Sequence, residues 1–580
     1  MKKLSLIISC LLLGNLTTFA AQDININGSS PEVMNKQNIM QINGLQVEKK
    51  EIGTTPSKFI PESQKDVEQK KDFVKGDLVY NPKFTLNKVI FQGNTIYSDK
   101  KLSELTKDLV GKEIYTEDLL DLAVNISDFY RNNGYLTSYA YLEPQDITEG
   151  TVIITIKESK VVEKYISGNR WEKEWYLRNI VLGGKGLDDE KVFNTSALQG
   201  AMKNLNKEAY LDALAEINTN KNDDTVIKLN ITDRFPLNLD LAWDDYGRNY
   251  TGRQRFTSIV GMDNFTGFGD RIYAGGIFSQ DSQGILAGYQ VPIGPYGTKL
   301  GLDYSYSNIF IGGPYRDLNM RGKANSYSLR LTQPIINTAT KELSAYVSAD
   351  AINTQSENTG AKDYNLRVLR TGLYGMFDDK NGRTITSVGT DIGTNGLGAS
   401  DNIENSYQSV FYKAIASLIR VQRLPKNCIG VFRLNGQYSP QSLYSAEQMF
   451  LGGVYSIRGY QPGELLGDYG LAGSFEIRTP VPGLQKILPE KFKSWSDKIK
   501  LAFFYDWGSI RENVVQYDYP NNFLQSVGFG TYINLTDALY LQAGIGIPVG
   551  SKYYNEDKAR LYFSINTDID RIFMKPKERL

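Results

Sequence analysis

The sequence predicts a membrane β-barrel of about sixteen antiparallel strands, preceded by two small α/β modules and an N-terminal helix. Three observations carry this expectation. The C-terminal half alternates apolar and polar residues: Leu237, Leu239, Leu241 and Trp243 are interleaved with Asn238, Asp240, Ala242 and Asp244. Side chains of a strand alternate between its faces, so one set would meet lipid and the other a polar lumen. No run beyond the N-terminus approaches the ~20 apolar residues of a membrane helix, which leaves a closed barrel as the way to satisfy every backbone group in lipid. Finally, 37 Tyr, 25 Phe and 53 Gly in 580 residues suit many short strands and turns.

Lys2 and Lys3 precede an apolar run from Leu4 to Leu13, and Thr18 to Ala21 offer small residues for cleavage, so residues 1–20 read as a signal peptide. Cys10 leaves lipidation as the alternative, against which the apolar run continues past it. Within 21–43, Ser30, Pro31 and Glu32 form a helix start with an N-cap hydroxyl, a proline whose missing N–H costs nothing and an early acid. This helix is polar, and a disordered tail is the other reading. Residues 44–80, with Pro56, Pro61 and many Lys and Glu, read as a linker.

The first module is placed at 81–160. A strand is expected from Thr85 to Gln92, a helix from Asp99 to Leu109 and a second helix from Thr116 with Leu119, Leu122, Ala123, Ile126 and Tyr130 on one face. Strands at Tyr139 to Glu143 and Thr151 to Lys157 complete a β-α-α-β-β order. The second module, 161–234, repeats the Gly-Asn of Gly93 and Asn94 at Gly168 and Asn169 and closes on the strand preceding Arg234. The barrel is placed at 235–566, enough for about sixteen strands at ~20 residues per strand and turn. Its late strands repeat the alternation: Leu539, Leu541, Ala543, Ile545 and Ile547, then Leu561, Phe563 and Ile565. A charged tail, 567–580, follows.

Composition excludes several functions. Lys+Arg and Asp+Glu are both 65, so no charge bias points to nucleic acid. Histidine is absent, which removes Ser-His-Asp and Cys-His catalysis and the usual zinc enzymes. With Cys10 in the cleaved segment, Cys428 has no partner for an internal disulfide. No catalytic residue, metal site or cofactor is expected. Adjacent carboxylates such as Asp244 and Asp245 face opposite sides of a strand.

The candidate functional stretch is Leu451 to Tyr460, a loop by its Gly452, Gly453 and Gly459. It presents one fixed cation, Arg458, between Tyr455 and Tyr460. Downstream, Ile499, Leu501, Phe503, Tyr505 and Trp507 alternate with Lys500, Ala502, Phe504 and Asp506, so Phe504 and Asp506 share the inner face. If that face lines the lumen of a barrel and the loop folds inward, Arg458 and Asp506 can pair.

The string Ser456 to Tyr460, followed by Gly467 to Gly470, by Phe475 to Pro480 and by Phe504 to Asp506, resembles two-partner secretion transporters, the TpsB family. The turn Asn264 to Asp270 is similar to that family's periplasmic turn, and both modules resemble its POTRA domains. The resemblance implies a sixteen-stranded barrel in the outer membrane of a diderm bacterium, two periplasmic POTRA domains and an N-terminal helix plugging the lumen. It also implies that Ile457, Arg458, Gly459 and Tyr460 cap an inward-folded loop held by Asp506 beside Phe504. The implied function is export of a large exoprotein bearing an N-terminal secretion domain, driven without ATP by the substrate folding outside. The implied partners are that exoprotein, the lipid bilayer and the barrel-assembly machinery, with the transporter a monomer. Two alternatives stay open: an assembly insertase of the same superfamily, which usually carries more POTRA repeats, and a passive porin, which needs no such modules. The charged tail departs from barrels that end on the last strand's aromatic residue.

Overall fold

A computed structural model describes residues 82–568, except positions 148, 185, 208–209, 295, 339, 359–362, 403–406, 515–521, 537 and 550–557. The signal peptide, plug helix, linker and charged tail expected from the sequence lie outside the described residues, save that the last strand, Arg560–Asp568, runs past the expected end at 566.

Sixteen antiparallel strands close into a barrel, Leu237–Asp244 pairing with both Arg255–Asp263 and Arg560–Asp568. Closure leaves no unpaired strand edge in lipid. The outer face is apolar, with Leu237, Trp243, Phe256, Val260, Phe278, Leu302, Leu329, Val388, Phe475, Phe503, Phe529 and Leu561 all exposed. The inner face departs from the uniformly polar lining expected. At the modules' end of the barrel, Tyr374, Ile385, Ile419, Val421, Ile429 and Val431 from four consecutive strands form an inward apolar cluster, buried almost completely. These side chains exclude water by packing on one another, which period-two patterning cannot foretell. Cys428 opens the strand Cys428–Tyr438 and is half-buried, with a free thiol.

The first module differs in detail from its expected order. The strand expected from Thr85 to Gln92 is two strands, Lys83–Thr85 and Lys88–Gln92. Leu86, fully buried, turns the chain there, and Asn87 N–H donates to Gly150 O at 2.7 Å. Lys83–Thr85 pairs with an additional strand, Glu113–Tyr115. The helix expected to Leu109 ends at Ser103. Beyond it, Ser103 Oγ donates to Asp99 O at 2.7 Å, and the N–H groups of Leu105, Thr106 and Leu109 bond three residues back, so tighter turns replace the α-helix. Leu102 still reaches the core, with Leu105 and Leu109 packed against it. The second helix, Thr116–Asn132, buries Leu119, Leu122, Ala123, Ile126 and Tyr130 as its spacing predicts. Tyr130 also donates to Glu158 Oε1 at 2.8 Å, and burial with that carboxylate pushes its phenol pKa far up.

The second module pairs Val161–Ser167 with Thr225–Asp233 and that strand with Leu211–Thr219, under the helix Thr195–Lys207. It is tied at both ends. Towards the first module, Thr137 Oγ1 lies 2.8 Å from Thr225 Oγ1, and Lys157 Nζ 2.8 Å from Asp224 Oδ1. Towards the barrel, Lys203 Nζ lies 2.8 Å from Glu342 Oε1, and Lys173 N–H donates to Gly267 O at 3.0 Å. The two modules and the barrel rim therefore make one continuous path.

Candidate functional site

The long loop between the strands Cys428–Tyr438 and Tyr469–Pro480, at the end of the barrel away from the modules, folds inward. Its two arms form a short hairpin, Met449–Leu451 against Leu465–Gly467. The hairpin packs on the wall because its inner face is apolar: Met449, Leu451, Ile457, Tyr460 and Leu465 cluster with Ala472, Ile510 and Leu524. Close approach is possible because the facing wall carries glycine. A Cβ on Gly508 would meet Ile457 Cδ1 at 2.9 Å, and one on Gly459, at φ 97°, would meet Pro548 Cδ at 3.0 Å and the Gly546 carbonyl carbon at 3.1 Å. Gly459 is thus required twice, for its left-handed backbone and for the space.

This packing delivers Arg458 to the lumen wall, 5% exposed. Its Nε donates to Asp506 Oδ2 at 2.8 Å and its Nη2 to Asp506 Oδ1 at 2.8 Å, the bidentate fork that only guanidinium offers. Its backbone N–H adds a third bond to Asp506 Oδ2 at 3.0 Å. The guanidinium carbon lies 3.4 Å from the Phe504 ring centroid, an aromatic stack on the same inner face. Asp506 is fully buried, and Ser474 Oγ donates to it at 2.7 Å.

Arg458 does not stop at Asp506: its Nη1 also pairs with buried Glu476. Glu476 in turn accepts from Arg478 Nε at 2.6 Å and from the Tyr532 hydroxyl at 3.1 Å. Alternation in the strand Tyr469–Pro480 held the signal, since Phe475 and Ile477 face lipid and leave Glu476 inside. Nor do the loop tyrosines flank the cation. Tyr455 packs edge-on to Tyr246 at 5.7 Å, and Tyr460 donates to Gln525 O at 3.2 Å. They fasten the loop to other parts of the wall, and Gly459 N–H donates to the Tyr562 hydroxyl beside them.

A second set of anchors carried no motif. Glu447, at the start of the hairpin and 2% exposed, crosses to a different part of the wall, where Arg370 Nη2 lies 2.6 Å from its Oε1 and Lys413 Nζ pairs with its Oε2. Arg370, Asp391 and Lys413 stand directly opposite one another on three successive strands, and Arg370 also pairs with Asp350. Arg248, from the loop after the first strand, donates to the backbone of Pro462 and to Gly463 O at 2.6 Å, closing over the loop tip. Asp468 ties the loop's base to the next one, accepting from Leu443 N–H and Asn513 N–H, each at 2.8 Å.

With this geometry in place, similarity to known proteins identifies the kind of machine. Residues 223–533, more than half of the chain, match the family described as haemolysin secretion/activation protein ShlB/FhaC/HecB. The chain belongs to this family. Residues 84–159 match a POTRA domain of the ShlB type. Among relatives, the heme/hemopexin transporter protein HuxB of Haemophilus influenzae (strain 86-028NP) is 26% identical over 504 residues, spanning 83% of this chain and 87% of its own. The outer membrane transporter CdiB of Dickeya dadantii (strain 3937) is 24% identical over 67% of this chain and 71% of its own. In fold, the structure of CdiB from Escherichia coli superposes with a TM-score of 0.75 at 18% identity, covering 96% of this chain and 99% of that one. The haemolysin secretion/activation family is one of transporters. This member is an outer-membrane translocator that passes a partner exoprotein from periplasm to cell surface by two-partner secretion, its POTRA side facing the periplasm.

Proposed function

We propose that this translocator takes a large exoprotein with an N-terminal secretion domain, captures it as an extended segment on the POTRA sheets, and passes it through a lumen that the Arg458 loop lock holds in one defined shape. The transporter acts as a monomer, is inserted by the barrel-assembly machinery and has no catalytic step. The observation that supports this reading best is the continuous path from module to module to rim, fastened at Thr137 and Thr225, Lys157 and Asp224, and Lys203 and Glu342. A passive pore has no use for it. Strand addition is the capture chemistry these sheets allow: Lys88–Gln92 and Val161–Ser167 each lie at a sheet edge among the described residues.

Deleting residues 84–233 is therefore expected to leave an inserted barrel that releases no exoprotein to the medium. Secretion that survives the deletion would show that capture lies elsewhere and favour a simple pore.

The polar segment 21–43 is assigned the role of lumen plug. Deletion of residues 22–44 should raise single-channel conductance in planar bilayers while the barrel stays folded. Unchanged conductance would remove the plug from the scheme.

A further inference from the structure

Where the second module meets the barrel rim lies an apolar patch. Trp175 is 59% exposed, Phe235 53%, Phe265 52% and Trp171 43%. Two ring contacts join them to the barrel's own residues: Trp171 lies 5.1 Å from Phe235, and Trp175 5.8 Å from Phe268. Clustered exposed aromatics mark an interaction surface, since each large ring left in water forfeits hydrophobic stabilisation.

The direction this patch faces follows from the chain. Phe235 lies two residues before Leu237 and keeps its alternation, because the strand ladder reaches back beyond Leu237: Asp263 N–H donates to Pro236 O at 2.9 Å. Phe235 therefore stands on the side of Leu237 and Trp243, the lipid face, and brings Trp171 to that side with it. The module is also fixed in place. Asn264 Nδ2 donates to Trp171 O at 2.9 Å, and Lys173 Nζ sits 3.9 Å over the Phe268 ring.

We infer that Trp171 and Trp175 insert into the periplasmic leaflet of the outer membrane, so that the second POTRA module rests on phospholipid as well as on the barrel. The argument is continuity. The patch extends the lipid-facing surface of the barrel at the level where it leaves the bilayer, and indole, with an apolar body and one N–H donor, suits the headgroup boundary. Such a foot fixes the module's tilt beneath the pore.

The chain has five tryptophans, which makes the test direct. In full-length protein reconstituted into phospholipid vesicles, all but one are changed to Phe, leaving Trp175, Trp171 or the lipid-facing control Trp243. Phospholipid brominated high on the acyl chain is expected to quench Trp175 and Trp171 about as strongly as Trp243, with both shielded from iodide in the aqueous phase. Emission insensitive to brominated lipid but open to iodide overturns the proposal. Shielding from both quenchers that vanishes at one copy per vesicle would assign the patch to a second copy instead. Shielding that appears only when the exoprotein is added would assign it to the substrate. Should the single-tryptophan chains fail to insert, as judged by heat-shifted migration on gels, the variant W171F/W175F in the otherwise native chain gives the pair's quenching by difference.

Discussion

Arg458→Ala is expected to abolish secretion, and Asp506→Ala to impair it less. The difference comes from Glu476. Removing Arg458 strands fully buried Asp506 with the neutral Ser474 hydroxyl as its donor, while Glu476 keeps Arg478; removing Asp506 leaves the guanidinium paired with Glu476 and stacked on the Phe504 ring. A buried ion pair that loses one partner costs roughly 3–5 kcal/mol, because the remaining charge is neither solvated nor neutralised. Borne by the inward position of the loop, that cost shifts its population by roughly two to four orders of magnitude. Arg458→Lys should fall between, since ammonium cannot span two carboxylates and stack on Phe504 at once. The double change of Arg458 and Asp506 to Ala should be no worse than Arg458→Ala alone. Secretion into the medium and protease cutting within residues 452–463 report the two halves of this claim, function and loop position. Additive losses in the double variant would sink the pairing.

Glu447→Gln is expected to free the start of the same loop while the barrel stays intact, and Arg370→Ala to damage the barrel itself. Charge decides between them. The cluster holds Arg370 and Lys413 against Asp350, Asp391 and Glu447. Neutralising Glu447 leaves two cations facing two carboxylates, a balanced set on the wall. Removing Arg370 leaves Lys413 facing three carboxylates, at a cost in the same range of roughly 3–5 kcal/mol. Heat-shifted migration on gels should therefore be native for Glu447→Gln and lost at lower temperature for Arg370→Ala. Cutting near Gln448 should rise in the first variant, with partial loss of secretion. Native protease resistance in Glu447→Gln would mean that Asp468 and Arg248 hold the loop without it.

Much of this was legible beforehand where a local period or a short string fixes a residue's direction. Alternation alone puts Phe504 and Asp506 on one face of their strand, and Arg458 stands out because a cation in a glycine loop needs a partner. Glu476 was equally available from its strand, between Phe475 and Ile477. Its contact with Arg458 was not, since nothing in the sequence sets the height at which the loop meets the wall. The broken first strand and the shortened helix of the first module are not legible for a related reason: the choices made at Leu86 and Ser103 are settled by a core contact and by side-chain bonds to backbone, not by propensity.

By itself, then, the sequence determined the barrel, its lipid face and the inward direction of Phe504 and Asp506, because these follow from side-chain alternation and from backbone groups that lipid will not solvate, and the first module's second helix, because it follows from helical spacing. Tertiary structure alone decided which strands stand opposite one another and at what register. That register stacks Arg370, Asp391 and Lys413 into one row for Glu447, gathers Ile385, Ile419, Val421, Ile429 and Val431 into an apolar patch inside the lumen, and sets Gly508 and Gly546 where Ile457 and Gly459 come closest. Each of these depends on closing the sheet into a ring, where every pairing constrains the next and no single strand carries the information.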